Sequence, residues 1–205
     1  MDTRRHWEQI YESKPATDVS WYQPEPAVSM RLIESVVHDS SAPIVDVGGG
    51  ASTLVDHVLA AGYTSVTVLD ISAHAMQQAR ARLGQDAERV RWLEADVLSE
   101  ELSLGSFALW HDRAVFHFLT DVISRRRYID QVRRCVPVGG YVAVATFAPD
   151  GPSHCSGLEV VRYDPDQLHG EFGSDFRLLE AEREEHVTPW GALQPFTYCM
   201  CRVSS

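Results

Sequence analysis

Three carboxylates and a run of glycines are the residues of this chain best placed to do chemistry. Gly48, Gly49 and Gly50 follow the short apolar run Ile44-Val45-Asp46-Val47. Glycine lets a backbone turn sharply and come close to a ligand. Asp46 stands at the mouth of this loop, Asp70 lies 20 residues beyond Gly50, and Asp96 sits within Glu94-Ala95-Asp96-Val97. Each acid alone reads as a helix cap or a surface charge. Three acids at the ends of three successive apolar runs are not a chance placement.

These acids also select among ligands. A carboxylate at Asp46 opposes a pyrophosphate and suits a cation. Thr53 stands where a dinucleotide loop carries its third glycine, which weighs against a nicotinamide dinucleotide. Asp70 is placed to accept hydrogen bonds from both hydroxyls of a ribose. Asp96 can accept one from the amino group of an adenine, with Ile71 and Val97 on either side of the ring.

Hydrophobic periodicity supplies the elements that would hold these residues. Residues 24–38 read as a helix, 44–47 as a buried strand, and Leu54 to Leu59 as an apolar helix face closed by Gly62. A strand at 65–69 leads into a helix from Ser72 to Leu83, with Ser72 as its N-cap and Gly84 as its stop. Strands follow at 90–93 and 107–110, then a helix over 121–135 and a strand from Tyr141 to Phe147. Alternating strands and helices predict an α/β fold with a parallel sheet. A short helix at 164–172 and two extended runs, 177–187 and 193–203, around Pro189-Trp190-Gly191 predict a closing antiparallel hairpin.

Composition bounds the function classes. The chain has 205 residues, 44% hydrophobic and 23% charged, as one globular domain would. We read residues 1–40 as an N-terminal lid with helices, 41–147 as the core and 148–205 as a substrate loop, helix and hairpin. A net charge of −11 disfavours nucleic acid and anionic lipid as partners. Arg125-Arg126-Arg127 and Arg133-Arg134 fall at helical spacing and read as a solvated face. No run reaches membrane-spanning length, and residues 1–8 lack a signal-peptide core, so a cytoplasmic location is expected. Cys135, Cys155, Cys199 and Cys201 fit no common metal pattern and read as reduced, buried thiols, and no metal site is expected.

The sequence resembles the class I S-adenosylmethionine-dependent methyltransferases. The resemblance rests on Val45 to Gly50, Val68-Leu69-Asp70-Ile71-Ser72, Glu94 to Val97 and Val136-Pro137-Val138-Gly139-Gly140-Tyr141. It implies a Rossmann-like, seven-stranded sheet of order 3-2-1-4-5-7-6, last strand antiparallel, with helices on both faces. It also implies S-adenosylmethionine as cofactor, whose sulfonium and ammonium match an acid at Asp46. In the family a segment such as His6 to Tyr11 with Trp21-Tyr22 folds over cofactor and substrate, so Trp21 and Tyr22 are candidate lid residues.

The loop after the fourth strand, Trp110-His111-Asp112-Arg113-Ala114-Val115-Phe116-His117-Phe118, is where the resemblance puts the methyl group. It lacks the polar-Pro-Pro-aromatic motif of base and amide methylases. His111 is a candidate to touch the cofactor and take a proton, or else a strand-end histidine with a structural bond. Arg113 and His117 share a helical face if the loop is helical, where they bind an anionic acceptor or orient a thiolate, or merely pin the loop. Phe118 and Cys155 are candidate substrate contacts, the latter in a Gly/Pro-rich loop over the fifth strand. The expected acceptor is a small molecule, and S-methylation of a thiol or sulfide needs no strong base, since a thiol pKa of about 8.5 leaves some thiolate near neutrality. The rivals are protein lysine N-methylation and a non-catalytic, cofactor-binding regulator on the same fold.

Overall fold

A computed structural model describes residues 2–99 and 105–205. The chain opens with helix α1 (Thr3–Ser13) and helix α2 (Ala27–Val36). Strand β1 (Ile44–Val47), helix α3 (Leu54–Ala60), strand β2 (Val66–Asp70), helix α4 (Ala73–Leu83) and strand β3 (Val90–Glu94) follow. Then come β4 (Leu109–Arg113), α5 (Val122–Cys135), β5 (Tyr141–Phe147), the two-residue strands β6 (His154–Cys155) and β7 (Leu158–Glu159), α6 (Pro165–Phe172), β8 (Phe176–Val187) and β9 (Leu193–Val203).

Seven strands form one sheet in the order β3-β2-β1-β4-β5-β9-β8. The first five run parallel and β9 pairs antiparallel with β5 and β8. This is the order expected from sequence. It places the turns after β1, β2 and β4 side by side, since β1 lies between β2 and β4.

The central strands are apolar on both faces because helices cover both. Side chains alternate along a strand, so Ala143 and Ala145 of β5 pack with Leu32, Ile33, Leu54 and Val58 of α2 and α3. Val142 and Val144 pack with Tyr128, Val132, Leu168 and Phe172 of α5 and α6. Fully burying one such large apolar side chain is worth roughly 1.5–3 kcal/mol.

Local chemistry sets the helix ends. Ser72 Oγ accepts the Ala75 amide at 3.1 Å and opens α4, which Gly84 closes at φ 58°. Asp121 caps α5 by accepting the Ile123 and Ser124 amides. Asp164 and Gln167 form a reciprocal cap on α6, with Pro165 at its first position.

The structure departs from the sequence reading in three places. The second helix starts at Ala27 rather than residue 24. The fourth strand runs Leu109–Arg113 rather than 107–110, so His111 and Asp112 lie inside the sheet. The hairpin of β6 and β7 was not anticipated. Among the described residues, no helix is long and apolar enough to cross a membrane, and no group of three or more His, Cys, Asp or Glu is arranged to hold a metal.

Candidate active site

A cleft of about 460 Å³ lies at the carboxyl ends of β1, β2, β3 and β4. Its floor includes Val47, Gly48 and Leu69, and one end is lined by Asp70, Ile71, Asp96, Val97 and Leu98. Gly48 holds φ 69°, and a Cβ there would lie 2.1 Å from Val115 Cγ2. Glycine thus serves both the backbone conformation and the close approach of two loops. The Gly50 amide donates to Asp70 Oδ2 at 2.9 Å and the Ser72 amide to Oδ1 at 2.8 Å. Burial pushes the Asp70 carboxyl up to about 6 against these two bonds. Asp96 Oδ1 accepts the Leu98 amide at 2.8 Å, in the turn after β3.

Helix α1 forms the roof. Thr3, Trp7 and Tyr11 recur every four residues, so one helical face lines the cleft. Trp7 packs edge-on against Phe118 and Trp21, with centroids at 5.1 and 5.9 Å. Side-chain bonds hold the helix down. Glu8 accepts the Ala73 amide at 2.6 Å and the His74 amide at 3.3 Å, at the N-terminus of α4. Burial works against the charged Glu8 carboxyl, yet bonds from the His74 ring and those amides keep it below its usual value. Arg4 Nη1 donates to the Ile71 carbonyl at 3.0 Å and pairs with Glu94.

The other end of the cleft is lined by Phe118, Leu119, Thr120, Asp121, Cys155, Leu158 and Glu159. Asp112 shapes the loop that leads there. It is fully buried, accepts the Val115 amide at 2.8 Å, the Phe116 amide at 3.0 Å and the Tyr128 hydroxyl. Burial raises its carboxyl to about 6. Ala114, between these anchors, is held at φ 73°, a backbone state that costs a non-glycine residue about 1–2 kcal/mol.

The structure gathers Trp21, Gly48, Asp70, Ile71, Asp96, Val97, Arg113, Phe118 and Cys155 around the cleft. It moves others elsewhere. Asp46, Gly49, Tyr22 and His111 line a separate cavity of about 40 Å³ behind the glycine loop, and Gly50 faces Asp70 and Ala75.

The three catalytic candidates need correction. His111 is buried, with Nδ1 2.7 Å from Asp46 Oδ1 and Nε2 2.9 Å from Ser29 Oγ. Both ring nitrogens are engaged, so it offers no free base to the cleft. His117 does not share a helical face with Arg113, which lies at the end of β4. It is fully buried beside Phe118 and Phe147, and its Nδ1 accepts the Phe147 amide at 3.4 Å. Burial, helped by the Arg113 charge, lowers its pKa to about 3. Arg113 donates to Tyr198 Oη at 2.7 Å, the Trp21 carbonyl at 3.0 Å and Glu184 at 3.4 Å, and its guanidinium lies 4.0 Å from the Phe196 ring centre. It fastens the segment before α2 to the sheet and has no charge to spare for an anion. Cys155 is 5% exposed, and burial pushes its thiol up to about 11. It is an apolar wall rather than a reactive thiolate.

Thr3, Trp7, Tyr11, Leu119, Thr120, Asp121, Ser124, Leu158 and Glu159 also line the cleft. The four-residue spacing of Thr3, Trp7 and Tyr11 was a readable signal for the roof. Leu158 and Glu159 arrive through a hairpin whose pairing the sequence does not announce.

Residues 44–140 match the methyltransferase domain family. An uncharacterised methyltransferase of Mycobacterium tuberculosis is 31% identical over 127 residues, which is 62% of this chain and 60% of that protein's length. The EEF1A lysine methyltransferase 2 of Homo sapiens is 21% identical over 194 residues, covering 88% of this chain and 76% of that protein. The solved structure of a SAM-dependent methyltransferase from Anabaena variabilis superposes with a TM-score of 0.77 at 17% identity, over 99% of this chain and 96% of the other. Sheet order, glycine loop and matched segment agree: residues 44–140 are similar to a methyltransferase domain, and the chain has the fold of the S-adenosylmethionine-dependent methyltransferases.

Proposed function

We propose that the chain transfers a methyl group from S-adenosylmethionine to a small acceptor, and that the acceptor is a thiol or sulfide. The residues present fit the cofactor. Asp70 faces the cleft beside the glycine loop, Ile71 and Val97 offer apolar walls to the adenine, and Asp96 stands beside them for its amino group. Bound there, the cofactor supplies an activated methyl group on a sulfonium. The chain's own share is to hold the acceptor in line and keep water away, which can account for much of the rate. The roof residues Trp7, Tyr11 and Trp21 do the latter, and Phe118, Leu119 and Leu158 shape the acceptor end.

One observation carries the choice of acceptor. Among the described residues, no imidazole presents a free nitrogen to the cleft, because His111 is doubly bonded and His117 is sealed in the core. A nucleophile that arrives protonated and relies on a histidine base is poorly served. A thiol, with its pKa of about 8.5, brings its own reactive form. A cleft of this size, walled by aromatic rings, suits a small molecule.

The similarity to a human lysine methyltransferase keeps a protein amine as the second reading. A single assay separates the two. Purified protein is incubated with the cofactor, and S-adenosylhomocysteine is followed with sulfide, small thiols, amines and phenols in parallel. Turnover on thiols that rises with pH supports S-methylation. Turnover on amines or label transfer to a protein band moves the assignment to nitrogen. Binding without turnover on any acceptor means a regulator.

A further inference from the structure

The charges that the main cleft leaves free are of one sign. Asp70 and Asp96 line its cofactor end, and Asp121 and Glu159 line its acceptor end. Arg113 is the one cation among the described lining residues, and its guanidinium is taken up by Glu184, Tyr198 and the Trp21 carbonyl. Arg125, one helical turn on from Asp121, is likewise spent. It pairs with Glu171 at 3.0 Å and donates to the Leu119 and Thr120 carbonyls at 3.1 and 3.0 Å. Asp121 is held below its usual carboxylate range by the Ser124 hydroxyl and by the Ser124 and Ile123 amides at the start of α5. Glu159 is exposed on β7 and pairs with no cation among the described residues. The acceptor end therefore holds two carboxylates that no described protein cation offsets.

The aromatic roof points the same way by different physics. Trp7, Tyr11, Trp21 and Phe118 all line the cleft. Trp21 stands across Trp7 at 83° and across Tyr11 at 79°, and Phe118 lies at 74° to Trp7, with ring centres 5.1 to 6.3 Å apart. Rings set across one another make a corner rather than a stack, and the negative face of a ring attracts a cation.

These features bear on which thiol is accepted. A thiol reacts as its thiolate, and two carboxylates beside it hold it protonated. A positive charge carried by the acceptor itself removes that penalty, because it pairs with the carboxylates and stabilises the thiolate. We propose that Asp121 and Glu159, with the rings of Trp7 and Phe118, select an acceptor that carries a cationic amino group beside its thiol. The proposal rests on the thiol reading above and narrows it from thiols and sulfide to small aminothiols. In the reaction the thiol gives its proton to solvent and its sulfur bonds the methyl carbon. The bond from that carbon to the sulfonium breaks, with the electron pair left on the departing sulfur.

Binding tests the selection apart from the chemistry. The probes are the S-methyl ethers of three thiols of equal length, ending in an ammonium, a hydroxyl and a carboxylate. With sulfur methylated none can ionise there, so the end group alone differs. Each is titrated into protein saturated with S-adenosylhomocysteine, and tryptophan fluorescence is followed. The ammonium ether is expected to bind roughly tenfold tighter than the hydroxyl ether, as bonds to a charged group predict, with the carboxylate ether weakest. Added salt should shrink the preference. Glu159→Gln, and Asp121→Asn, which keeps a capping side chain, should each lower it several-fold while the hydroxyl ether's affinity holds. Phe118→Leu, an apolar wall without a π face, should lower it too. Thermal melts establish that the variants are folded. Equal binding of the three ethers would overturn the proposal, as would a preference that survives Glu159→Gln and Asp121→Asn together. The thiol reading fails separately: turnover confined to nitrogen acceptors, with the ammonium ether still bound best, would remove S-methylation and support the selection of a cation.

Discussion

Substituting Gly48 by alanine tests whether the glycine loop and the loop after β4 are locked together. Gly48 sits at φ 69°, and an added Cβ would meet Val115 Cγ2 at 2.1 Å. A left-handed backbone costs an alanine about 1–2 kcal/mol, and overpacking of this kind about 1–3 kcal/mol. The neighbour cannot step aside cheaply. The Val115 amide is tied to Asp112 at 2.8 Å, Ala114 before it is already at positive φ, and valine is stiff at χ1. The expected loss for Gly48→Ala is therefore about 2–5 kcal/mol, or a fall of order 10 °C in Tm for a chain of this length. Val115→Ala alone removes two half-buried methyls and should cost about 1 kcal/mol. In the double variant the clash disappears while the backbone cost stays. It should recover about 1–3 kcal/mol relative to the sum of the single changes. Urea unfolding of the four proteins measures this coupling. Additivity within about 0.5 kcal/mol would refute the interlock.

Two further predictions concern residues that resemble catalysts. His117 is neutral in the folded protein down to about pH 3, whereas an unfolded histidine takes up a proton near pH 6.5. The unfolded state thus binds more protons between these values, and stability from this residue is lost as pH falls. At pH 5 the loss is about 2 kcal/mol relative to pH 8. His117→Leu should lack it, so its stability relative to wild type should improve by about that amount between pH 8 and 5 in urea titrations; parallel pH curves would contradict this. Cys155, with its thiol raised to about 11, should be alkylated by iodoacetamide at pH 8 roughly two orders of magnitude more slowly than a free thiol, followed by mass spectrometry. Modification at the rate of a free thiol would show that the wall opens.

Much of the fold was legible because burial imposes a pattern on sequence. Ile44 to Val47, Val66 to Leu69 and Tyr141 to Phe147 are strands whose two covered faces demand apolar residues, and glycines or capping side chains mark many of the boundaries. The fourth strand was misplaced for the opposite reason. His111, Asp112 and Arg113 look like a loop, yet each polar group is met inside the protein, by Ser29 and Asp46, by Tyr128, and by Tyr198 and Glu184. Those partners lie 16 to 85 residues away along the chain, beyond the reach of local spacing. The same distance effect turned two histidines into apparent catalysts. Residue type and position near the reacting end suggested chemistry, and only the tertiary structure shows that His111 is bonded at both nitrogens and His117 is sealed from the cleft. The cleft's cofactor end was readable because its acids sit at strand ends. Its acceptor end was not, because a short hairpin and a helix face from distant parts of the chain build it.

The hairpin order has a consequence for biosynthesis. Strand β5 ends at Phe147, but the strand that covers its outer edge, β9, runs to Val203. A ribosome adds about 5–20 residues per second, so the roughly 55 intervening residues take several seconds to make. During that time the apolar run Tyr141-Val142-Ala143-Val144-Ala145-Thr146-Phe147 has an unpaired edge, the kind of segment that recruits other chains. The finished protein replaces that edge with β8, whose outward positions include Arg177, Arg183 and Glu185. The nascent chain is thus at its most aggregation-prone just before the hairpin is complete, and a chaperone that binds extended apolar strands would find its target in residues 141–147.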